Sequence, residues 1–464
     1  MASWQPRIAA GARRKYLGIV EALEADIYAG ILKPGDRLPA QRKIANQLSV
    51  DLTTVTRAFN EARQRGLLDA TTGRGSFIRE HVTAKLIAHI SEQRPLLDLS
   101  MNSPPQPLAA GLQQAISQGI SQIVTGSDRV LQLQYQHSAG NPEDRNIAAA
   151  WLAQTLVHAT ADTTLICGGA QAALYAILQN IGKPGDVIAC GEWVYPGLKS
   201  AAACRDLQLH ALTMDKQGIE PEAFETVCQQ RKITALYMVP AIDNPTTATL
   251  PVNRRQQLAD IAERYRVIII EDDPYSTLDS QPLPPVAGLL PRQSWYIRTL
   301  AKCVSPALRV AYLVAPDAVQ ATKVANVLGS TNVMAPPLMA ALASLWLRDG
   351  RMARFAKAIR EENQQRQAIA RQAFARHDYQ CNTAGHHGWL ILPAHWKADE
   401  FSRQARLSGV SVIDGQVFSI VSRPPIAAVR ISLGLLPDHE AIHEALGILT
   451  NLLTDDHQFV KAIV

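Results

Sequence analysis

The chain of 464 residues contains no run of about 20 apolar residues, which a membrane-spanning helix would need. Its first residues lack the apolar core of a secretory signal, so we expect a cytoplasmic protein without a membrane partner. The six cysteines are scattered and never form a CxxC pair, which excludes a disulfide-built scaffold and favours reduced thiols. The spacing of the histidines and cysteines predicts no metal site.

Hydrophobic residues make up 47% of the chain and charged residues 19%, which is ordinary for a soluble protein of two or three domains. The charge is unevenly placed along the chain. Residues 1–80 contain 13 Lys and Arg against 8 Asp and Glu, whereas the remaining residues contain 33 of each sign. The whole excess of positive charge therefore lies in the first sixth of the chain. This indicates either contact with a polyanion or a solvated basic surface.

Residues 15–79 separate into three helices and a hairpin. Apolar spacing predicts helices over Tyr16–Ile31, over Arg42–Leu48 and from Thr53 onward, and a hairpin over Asp69–Ile78. Three helices followed by a hairpin form a winged helix-turn-helix, whose later helix enters the major groove of DNA. The positive charge favours DNA binding over a protein-interaction module of the same fold.

Several side chains of this region suit DNA. Hydroxyls at the start of the third helix let the backbone approach phosphates, and a guanidinium can reach a guanine edge or a phosphate. An arginine at a glycine-flanked hairpin tip can enter a minor groove. The predicted DNA-binding residues are Arg42, Thr53, Thr54, Arg57 and Arg74.

About residues 15–79 resemble the GntR family of bacterial repressors. The matching segments are ILKPGDRLPAQRKIANQL, TTVTRAF and RGLLDATTGRGSFI. The resemblance implies an operator DNA as the partner, with the family's DNA contacts at the residues just given. Leu52 stands where many relatives have an arginine.

From about residue 150 the pattern changes to strands that alternate with helices. Runs that are apolar on both faces and spaced by helices predict a mainly parallel α/β sheet covered by helices on both faces. The predicted helices include Gln171–Asn180, Arg254–Tyr265 and Ala318–Leu328. The predicted strands are Thr164–Cys167, Val187–Cys190, Ala235–Val239, Val267–Ile270, Tyr296–Leu300 and Val310–Val314.

Polar residues follow several of these strands, at the edge of the sheet where ligands bind. Gly168 and Gly169 lead into a helix, which makes an anion site. A lysine amine can form a Schiff base with an aldehyde cofactor, and an aspartate can keep a pyridine nitrogen protonated. The residues that suit these roles are Lys302 and Asp272, with Arg309 as a phosphate ligand.

The rest of the chain, here called the body, resembles the fold-type I aminotransferases that use pyridoxal 5′-phosphate (PLP), over about residues 98–455. The matching segments are AGNPEDR, GGAQAAL, EWVYPG, DNPTT, EDDPY, TLAKCVSPALRVAY and VRISLG. Arg298 stands where such proteins have a small or hydroxyl residue before the lysine.

The resemblance to fold-type I implies catalytic roles for Lys302, Asp272 and Tyr275, with Arg430 as the clamp of a substrate or effector carboxylate. Tyr135 resembles the tyrosine that reaches the phosphate of a neighbouring subunit. The further cofactor-binding residues that it implies are Asn244, Tyr195, Ala170, Gln171, Thr299 and Arg309.

A winged helix-turn-helix joined to an aminotransferase-like body resembles the MocR/GabR subfamily of GntR regulators. The expected organisation is a DNA-binding domain over 1–80, a linker over 81–108 and a PLP-binding domain over 109–464. The large part of that domain is expected at about 150–345, and a smaller C-terminal α+β subdomain at about 346–464. The resemblance also implies a homodimer.

The implied function is a PLP-dependent regulator that senses an amino compound, or PLP itself, and changes operator binding. A genuine aminotransferase with an accessory DNA-binding domain stays open as the alternative, because Lys302, Asp272, Tyr275 and Arg430 are all retained. Whether transamination turns over is therefore also open at this point.

Overall fold

The chain divides into two compact units, residues 1–94 and residues 95–464, and each unit has its own hydrophobic core. Within the described part of the chain, no helix is long and apolar enough to cross a membrane. The computed structural model describes residues 4, 15–28, 32, 35–48, 50–64, 67–71, 75–78, 97–126, 134–422 and 424–454.

The first unit is a three-helix head with a hairpin, as the sequence predicts. Val55 and Phe59 of the third helix pack against Ile19, Leu23 and Ile44 in a buried core. The elements are α1 (Lys15–Tyr28), α2 (Gln41–Leu48), α3 (Leu52–Gln64) and the antiparallel strands β1 (Leu68–Thr71) and β2 (Gly75–Ile78). Arg74 lies outside the described residues.

The second unit contains a large sheet and a small sheet. Its strands are β3 (Leu97–Asp98), β4 (Thr164–Cys167), β5 (Val187–Gly191), β6 (Gln208–Leu212), β7 (Met214–Asp215), β8 (Gly218–Ile219), β9 (Ala235–Met238), β10 (Ile268–Asp273), β11 (Ser294–Thr299), β12 (Ala311–Val314), β13 (Asp378–Cys381), β14 (His387–Ile391), β15 (Val410–Ser411), β16 (Ile413–Asp414) and β17 (Ala428–Ser432).

The α-helices of this unit surround the large sheet and cover one side of the small one. They are α4 (Leu112–Thr125), α5 (Pro142–Leu152), α6 (Ala170–Ile181), α7 (Pro196–Ala203), α8 (Pro221–Gln230), α9 (Val252–Tyr265), α10 (Val286–Leu289), α11 (Ala318–Asn332), α12 (Pro337–Arg348), α13 (Arg351–Ala373), α14 (Ala398–Leu407) and α15 (His439–Thr454).

The large sheet has the strand order β4-β12-β11-β10-β9-β5-β6, and only β12 runs antiparallel to its neighbours. Successive residues of β5 belong to different hydrophobic clusters. Ile188 packs into one cluster, while Val187 and Ala189 pack into the other. Side chains alternate between the faces of a strand, so both faces of the sheet are covered. This confirms the predicted mainly parallel α/β sheet.

The small sheet is antiparallel and has the strand order β13-β14-β17-β16. Its core includes Phe374, Phe401 and Leu446. Leu97 and Leu99 are buried in the same core, because β3 pairs in parallel with β15. The sequence places these two residues in a linker over 81–108, but burial of their side chains makes them part of the second unit.

Two strands of the large sheet differ from the sequence prediction. The strand predicted over Val267–Ile270 is β10, which continues through Asp272 and Asp273 because these acidic residues are buried beside β11. The edge strand β6 was not predicted. Its residues run from the exposed Gln208 through three partly buried residues to the buried Leu212, so it lacks the continuous buried apolar run of the inner strands.

Candidate functional site

Lys302 follows β11 and lies beside the segment that enters the second unit. Its amine donates a hydrogen bond to the backbone carbonyl of Asn102. The side-chain amide of Asn102 in turn donates to the hydroxyl oxygen of Tyr275, at 2.8 Å. Burial and the charge of Arg430 lower the pKa of Lys302 to about 8, against the opposing charge of Asp272. Lys302 is therefore linked to Tyr275 through Asn102, and the charge of Arg430, the expected carboxylate clamp, acts on its amine.

Asp272 lies near the carboxyl end of β10 and is buried. One carboxylate oxygen, Oδ2, accepts a hydrogen bond of 2.9 Å from the hydroxyl of Tyr237. The other oxygen, Oδ1, has no hydrogen-bond partner among the described residues. Burial raises the pKa of Asp272 to about 6, although the Tyr237 hydrogen bond and the charge of Lys302 act against it. This carboxylate can accept a hydrogen bond from a cationic group.

Arg430 in β17 links the small sheet to the large one. Its Nη1 atom donates to Oδ1 of Asn244 at 2.9 Å, and its Nη2 atom donates to the backbone carbonyl of Ser100 at 2.6 Å. The guanidinium carbon lies 4.9 Å from the centre of the Phe418 ring. Burial lowers the pKa of Arg430 to about 10, so the side chain stays charged at neutral pH.

An anion cradle forms where β4 turns into α6. Gly169 has φ +105°, and Nη2 of Arg309 donates to the carbonyl of Gly168 at 3.2 Å. A Cβ atom on Gly169 would lie 2.9 Å from that Nη2 atom. The glycine therefore lets the guanidinium approach the N-terminus of α6, which begins at Ala170. A helix N-terminus beside an arginine is suited to a phosphate.

Three other predicted residues lie around this cradle. Gln171 of α6 donates from Nε2 to the carbonyl of Gly197 at 3.0 Å. Tyr195, which directly precedes α7, is half-buried, and the charges of Asp272 and Arg309 both act on its hydroxyl. Thr299 ends β11, and its Oγ1 atom accepts a hydrogen bond of 3.2 Å from the amide of Ala301. Thr299 therefore stabilises the loop that leads to Lys302.

Tyr135 is the predicted cofactor residue that lies apart from the others. Its side chain is 87% exposed. It lines an open surface groove together with Met334, Pro336, Leu338 and Met339. A single chain thus leaves this tyrosine exposed.

Sequence reasoning missed a buried pair of histidines against Tyr275. The ring centres of His386 and His387 lie 5.6 and 5.4 Å from that of Tyr275. Nε2 of His387 donates to the backbone carbonyl of Asp243 at 3.0 Å, whereas both ring nitrogens of His386 lack partners among the described residues. Burial lowers the pKa of His387 to about 3, so this ring is neutral. Among the described residues, no group of side chains suits a metal ion.

Arg298, which replaces a small residue of the family pattern, forms a buried ion pair. Its Nη2 atom lies 2.9 Å from Oδ2 of Asp273, and the two residues are register partners in β11 and β10. Burial opposes ionisation of Asp273, but the charge of Arg298 and a hydrogen bond from Ser276 lower the pKa of this carboxyl. This ion pair joins the end of β10, which contains Asp272, to the end of β11, which leads to Lys302.

Some of the predicted DNA-binding residues of the head are exposed, and others contact neighbouring side chains. Arg42 of α2 is exposed. Asp51 caps α3 by accepting hydrogen bonds from the backbone amide and the hydroxyl of Thr53, at 2.7 and 2.5 Å. The guanidinium carbon of Arg57 lies 4.3 Å from the centre of the Tyr16 ring, which is a cation–π contact.

Thr54 is half-buried near the start of α3. Sequence reasoning missed the cap at Asp51 and the stacking of Tyr16, although an aspartate before a helix is a recognisable cap signal.

A family model for aminotransferase class I and II matches residues 94–449. The chain belongs to the aminotransferase class I and II family. A second model, for bacterial regulatory proteins of the gntR family, matches residues 15–78, which contain the three helices and the hairpin of the head. This member of the aminotransferase family thus joins a GntR-type helix-turn-helix to an aminotransferase-like body, which confirms the predicted combination.

Similar proteins share this combination over almost their whole length. The uncharacterized HTH-type transcriptional regulator YdeF of Bacillus subtilis is 29% identical over 453 residues, covering 98% of this chain and 97% of the relative. The vitamin B6 salvage pathway transcriptional repressor PtsJ of Salmonella typhimurium is 27% identical over 438 residues, covering 92% and 97%. These full-length relatives favour a transcription regulator over an enzyme with an accessory domain.

The aminotransferase-like body also has solved structural neighbours. A crystal structure of kynurenine aminotransferase from Pyrococcus horikoshii, in complex with PMP, has a TM-score of 0.74 to this chain at 20% identity. The match covers 81% of this chain and 95% of that one. At this identity the likeness shows the fold of the body, which is the fold-type I architecture that the sequence predicts.

Proposed function

We propose that this transcription regulator holds PLP on Lys302 and binds an amino compound, or PLP itself, as the effector that changes operator binding. The observation that supports this most strongly is the buried Oδ1 atom of Asp272, which shares a site with Lys302 and has no partner among the described residues. Because such a regulator acts on DNA, we place it in the cytoplasm.

The residues present fit PLP. A buried carboxylate oxygen without a donor is costly, and a protonated pyridine nitrogen beside Asp272 would supply both the donor and the positive charge. When bound, PLP supplies an aldehyde that joins covalently to an amine and a ring that withdraws electrons. The lowered pKa of Lys302, about 8, leaves part of its amine neutral near pH 7, as nucleophilic attack on an aldehyde requires.

Two donors in the site remain available for the ring oxygen of PLP. The hydroxyl oxygen of Tyr275 accepts a hydrogen bond from Asn102, so its own proton is free to be donated. The carbonyl oxygen of the Asn244 side chain accepts from Arg430, so its amide hydrogens are free as well. Tyr195 would stack on the face of the ring. The cradle of Gly168, Gly169, Ala170, Gln171, Thr299 and Arg309 would hold the phosphate.

Arg430 is the residue we assign to the effector. It is buried and charged, and both hydrogen bonds of its terminal nitrogens go to neutral oxygens, on Asn244 and Ser100. A carboxylate is a better acceptor for a guanidinium fork than a neutral carbonyl. An effector carboxylate would therefore replace the Ser100 carbonyl and release a segment that lies close to the start of the second unit.

A genuine aminotransferase is the second candidate, because the structure brings Lys302, Asp272, Tyr275 and Arg430 into one site. The assay that separates the two functions is keto-acid formation from a panel of amino donors. Sustained turnover would favour the enzyme, whereas effector-dependent operator binding without turnover would favour the regulator.

We also infer a homodimer. The exposed Tyr135 and its groove of apolar residues leave a surface that a second copy would cover, and two heads would then meet two DNA half-sites. Sedimentation of the purified protein at micromolar concentration should show a dimer. A monomer with full PLP binding would contradict this role of Tyr135.

Borohydride reduction tests the covalent attachment of PLP. The purified protein, supplied with PLP, should show a visible absorbance band, and reduction should fix the cofactor mass on the peptide that contains Lys302. The variant Lys302→Ala should show no fixed mass, while Lys323→Ala, which changes an exposed lysine, should behave as the unmodified protein does. Failure to label Lys302 in the presence of excess PLP would contradict the proposal.

A further inference from the structure

Asn102 makes contact with two residues of the site by two different atoms. Its backbone carbonyl accepts the hydrogen bond from the amine of Lys302, and its side-chain Nδ2 atom donates to the hydroxyl oxygen of Tyr275 at 2.8 Å. The side-chain oxygen, Oδ1, is buried without a partner among the described residues. Asn102 belongs to the predicted linker, and nothing in the sequence pattern pointed to it.

The direction of the bond to Tyr275 has a chemical consequence. A tyrosine hydroxyl has one proton, and an amide nitrogen can only donate. Because the tyrosine oxygen receives the hydrogen bond of Asn102, its proton is directed to another acceptor. The phenol is fully buried, and burial raises its pKa far above the usual range, so the proton stays on the oxygen at neutral pH.

We propose that Asn102 is a positioning residue that turns the proton of Tyr275 toward the ring oxygen of the cofactor and holds the amine of Lys302 beside it. The inference rests on the proposed attachment of PLP to Lys302. A donor on the ring oxygen stabilises negative charge there and so sets the pH at which the visible band of the bound cofactor changes.

Substitution of Asn102 tests the direction of this hydrogen bond. In Asn102→Asp the carboxylate can only accept, so the hydroxyl of Tyr275 donates its hydrogen bond to this carboxylate. The ring oxygen of the cofactor then loses its donor and gains a nearby negative charge. In Asn102→Ala the tyrosine proton is no longer directed by this contact. We expect the pH midpoint of the absorbance band to rise by about one unit in Asn102→Ala and further in Asn102→Asp.

Several other groups act on Tyr275 or pack against it, and neither substitution changes any of them. They are Asp243, Asp272, Arg430, His386 and His387. The dissociation constant of PLP should rise about tenfold in Asn102→Asp, because one hydrogen bond to the ring is lost.

Gln106→Ala is the matched control. Gln106 lies in the same segment, and its side-chain amide donates to the carbonyl of Val304 at 3.0 Å and not to Tyr275. Its pH midpoint and PLP affinity should equal those of the unmodified protein. Thermal unfolding of each variant, without and with PLP, shows whether it is folded.

Each outcome separates the two proposals. If the unmodified protein shows no visible band with excess PLP, the attachment to Lys302 is wrong and the role of Asn102 falls with it. If the band forms and Asn102→Asp has the midpoint of the unmodified protein, the attachment stands and the role of Asn102 is overturned. That second result would mean that the amide oxygen, and not the amide nitrogen, faces Tyr275.

Discussion

Arg430 and Asn244 are joined by a hydrogen bond of 2.9 Å between Nη1 and Oδ1, which connects the small sheet to the loop after β9. The two side chains are buried and come from positions 186 residues apart in the chain. The same guanidinium holds the carbonyl of Ser100. A ligand that engages Arg430 therefore acts at once on both sheets of the second unit.

Replacement of Arg430 should separate effector binding from cofactor binding. Arg430→Lys keeps the charge but loses the planar fork that suits a carboxylate. We expect the affinity for an amino-acid effector to fall about tenfold to a hundredfold, since a charged hydrogen bond is lost. The measurement is an absorbance titration of the PLP-loaded protein. Arg406→Lys, which changes an exposed arginine, should leave the affinity unchanged.

The pH dependence of stability should reveal Asp272. Its pKa is about 6 in the folded protein, above the value of 3.8 for a free aspartate, so the folded state binds the proton more tightly. Its contribution to the free energy of unfolding therefore falls as the pH rises from about 4 to about 6, and the loss is complete above that window.

Asp272→Asn should accordingly stabilise the PLP-free protein at pH 8, by about 1 to 3 kcal/mol, and should weaken PLP binding. Thermal unfolding with and without PLP measures both effects. A PLP-free Asp272→Asn protein that is less stable than the unmodified protein at pH 8 would contradict this account.

Gly169→Ala should weaken PLP binding because the new methyl group would press on Arg309. Gly185→Ala is a matched control, since Gly185 also has a positive φ, of +87°, but has open space around its Cβ position. Both variants should lose about 1 kcal/mol or more of stability from the strained backbone. Only Gly169→Ala should also raise the dissociation constant of PLP, by about tenfold. Equal PLP affinities for the two variants would argue against the cradle.

Arg42→Ala should weaken operator binding and change its salt dependence. If Arg42 contacts a phosphate, the slope of the logarithm of the binding constant against the logarithm of salt concentration should decrease by about 1. Arg63→Ala removes the same charge from the last turn of α3, where Nη2 donates to Asn60 at 2.7 Å. If both variants change the slope by the same amount, the effect comes from the loss of positive charge in general and not from a phosphate contact of Arg42.

The site residues that could be predicted from the sequence are those that lie at or just after the end of a strand. Asp272 lies near the end of β10, and Asn244 and Lys302 follow β9 and β11. The carboxyl ends of parallel strands gather at one edge of a sheet. The two-domain organisation could also be predicted, because the charge excess and the helix spacing of the head differ from the pattern of the body.

Other contacts could not be predicted because they join distant parts of the chain. Asn102 meets Lys302 across 200 residues, and it lies just after β3, which pairs with the distant strand β15. The stacking of Arg57 on Tyr16 likewise depends on how α1 packs on α3. Local sequence patterns hold no information on such contacts, whereas strand ends and helix caps are local.

In the proposed function one amine, that of Lys302, connects a vitamin B6 aldehyde to the control of DNA binding. The most direct measurement is footprinting of upstream DNA, with and without PLP and candidate amines, for the unmodified protein and for Lys302→Ala. We expect the unmodified protein to change its footprint with the effector, and Lys302→Ala to bind the same DNA with no such change. An effector-dependent footprint that persists in Lys302→Ala would contradict the account.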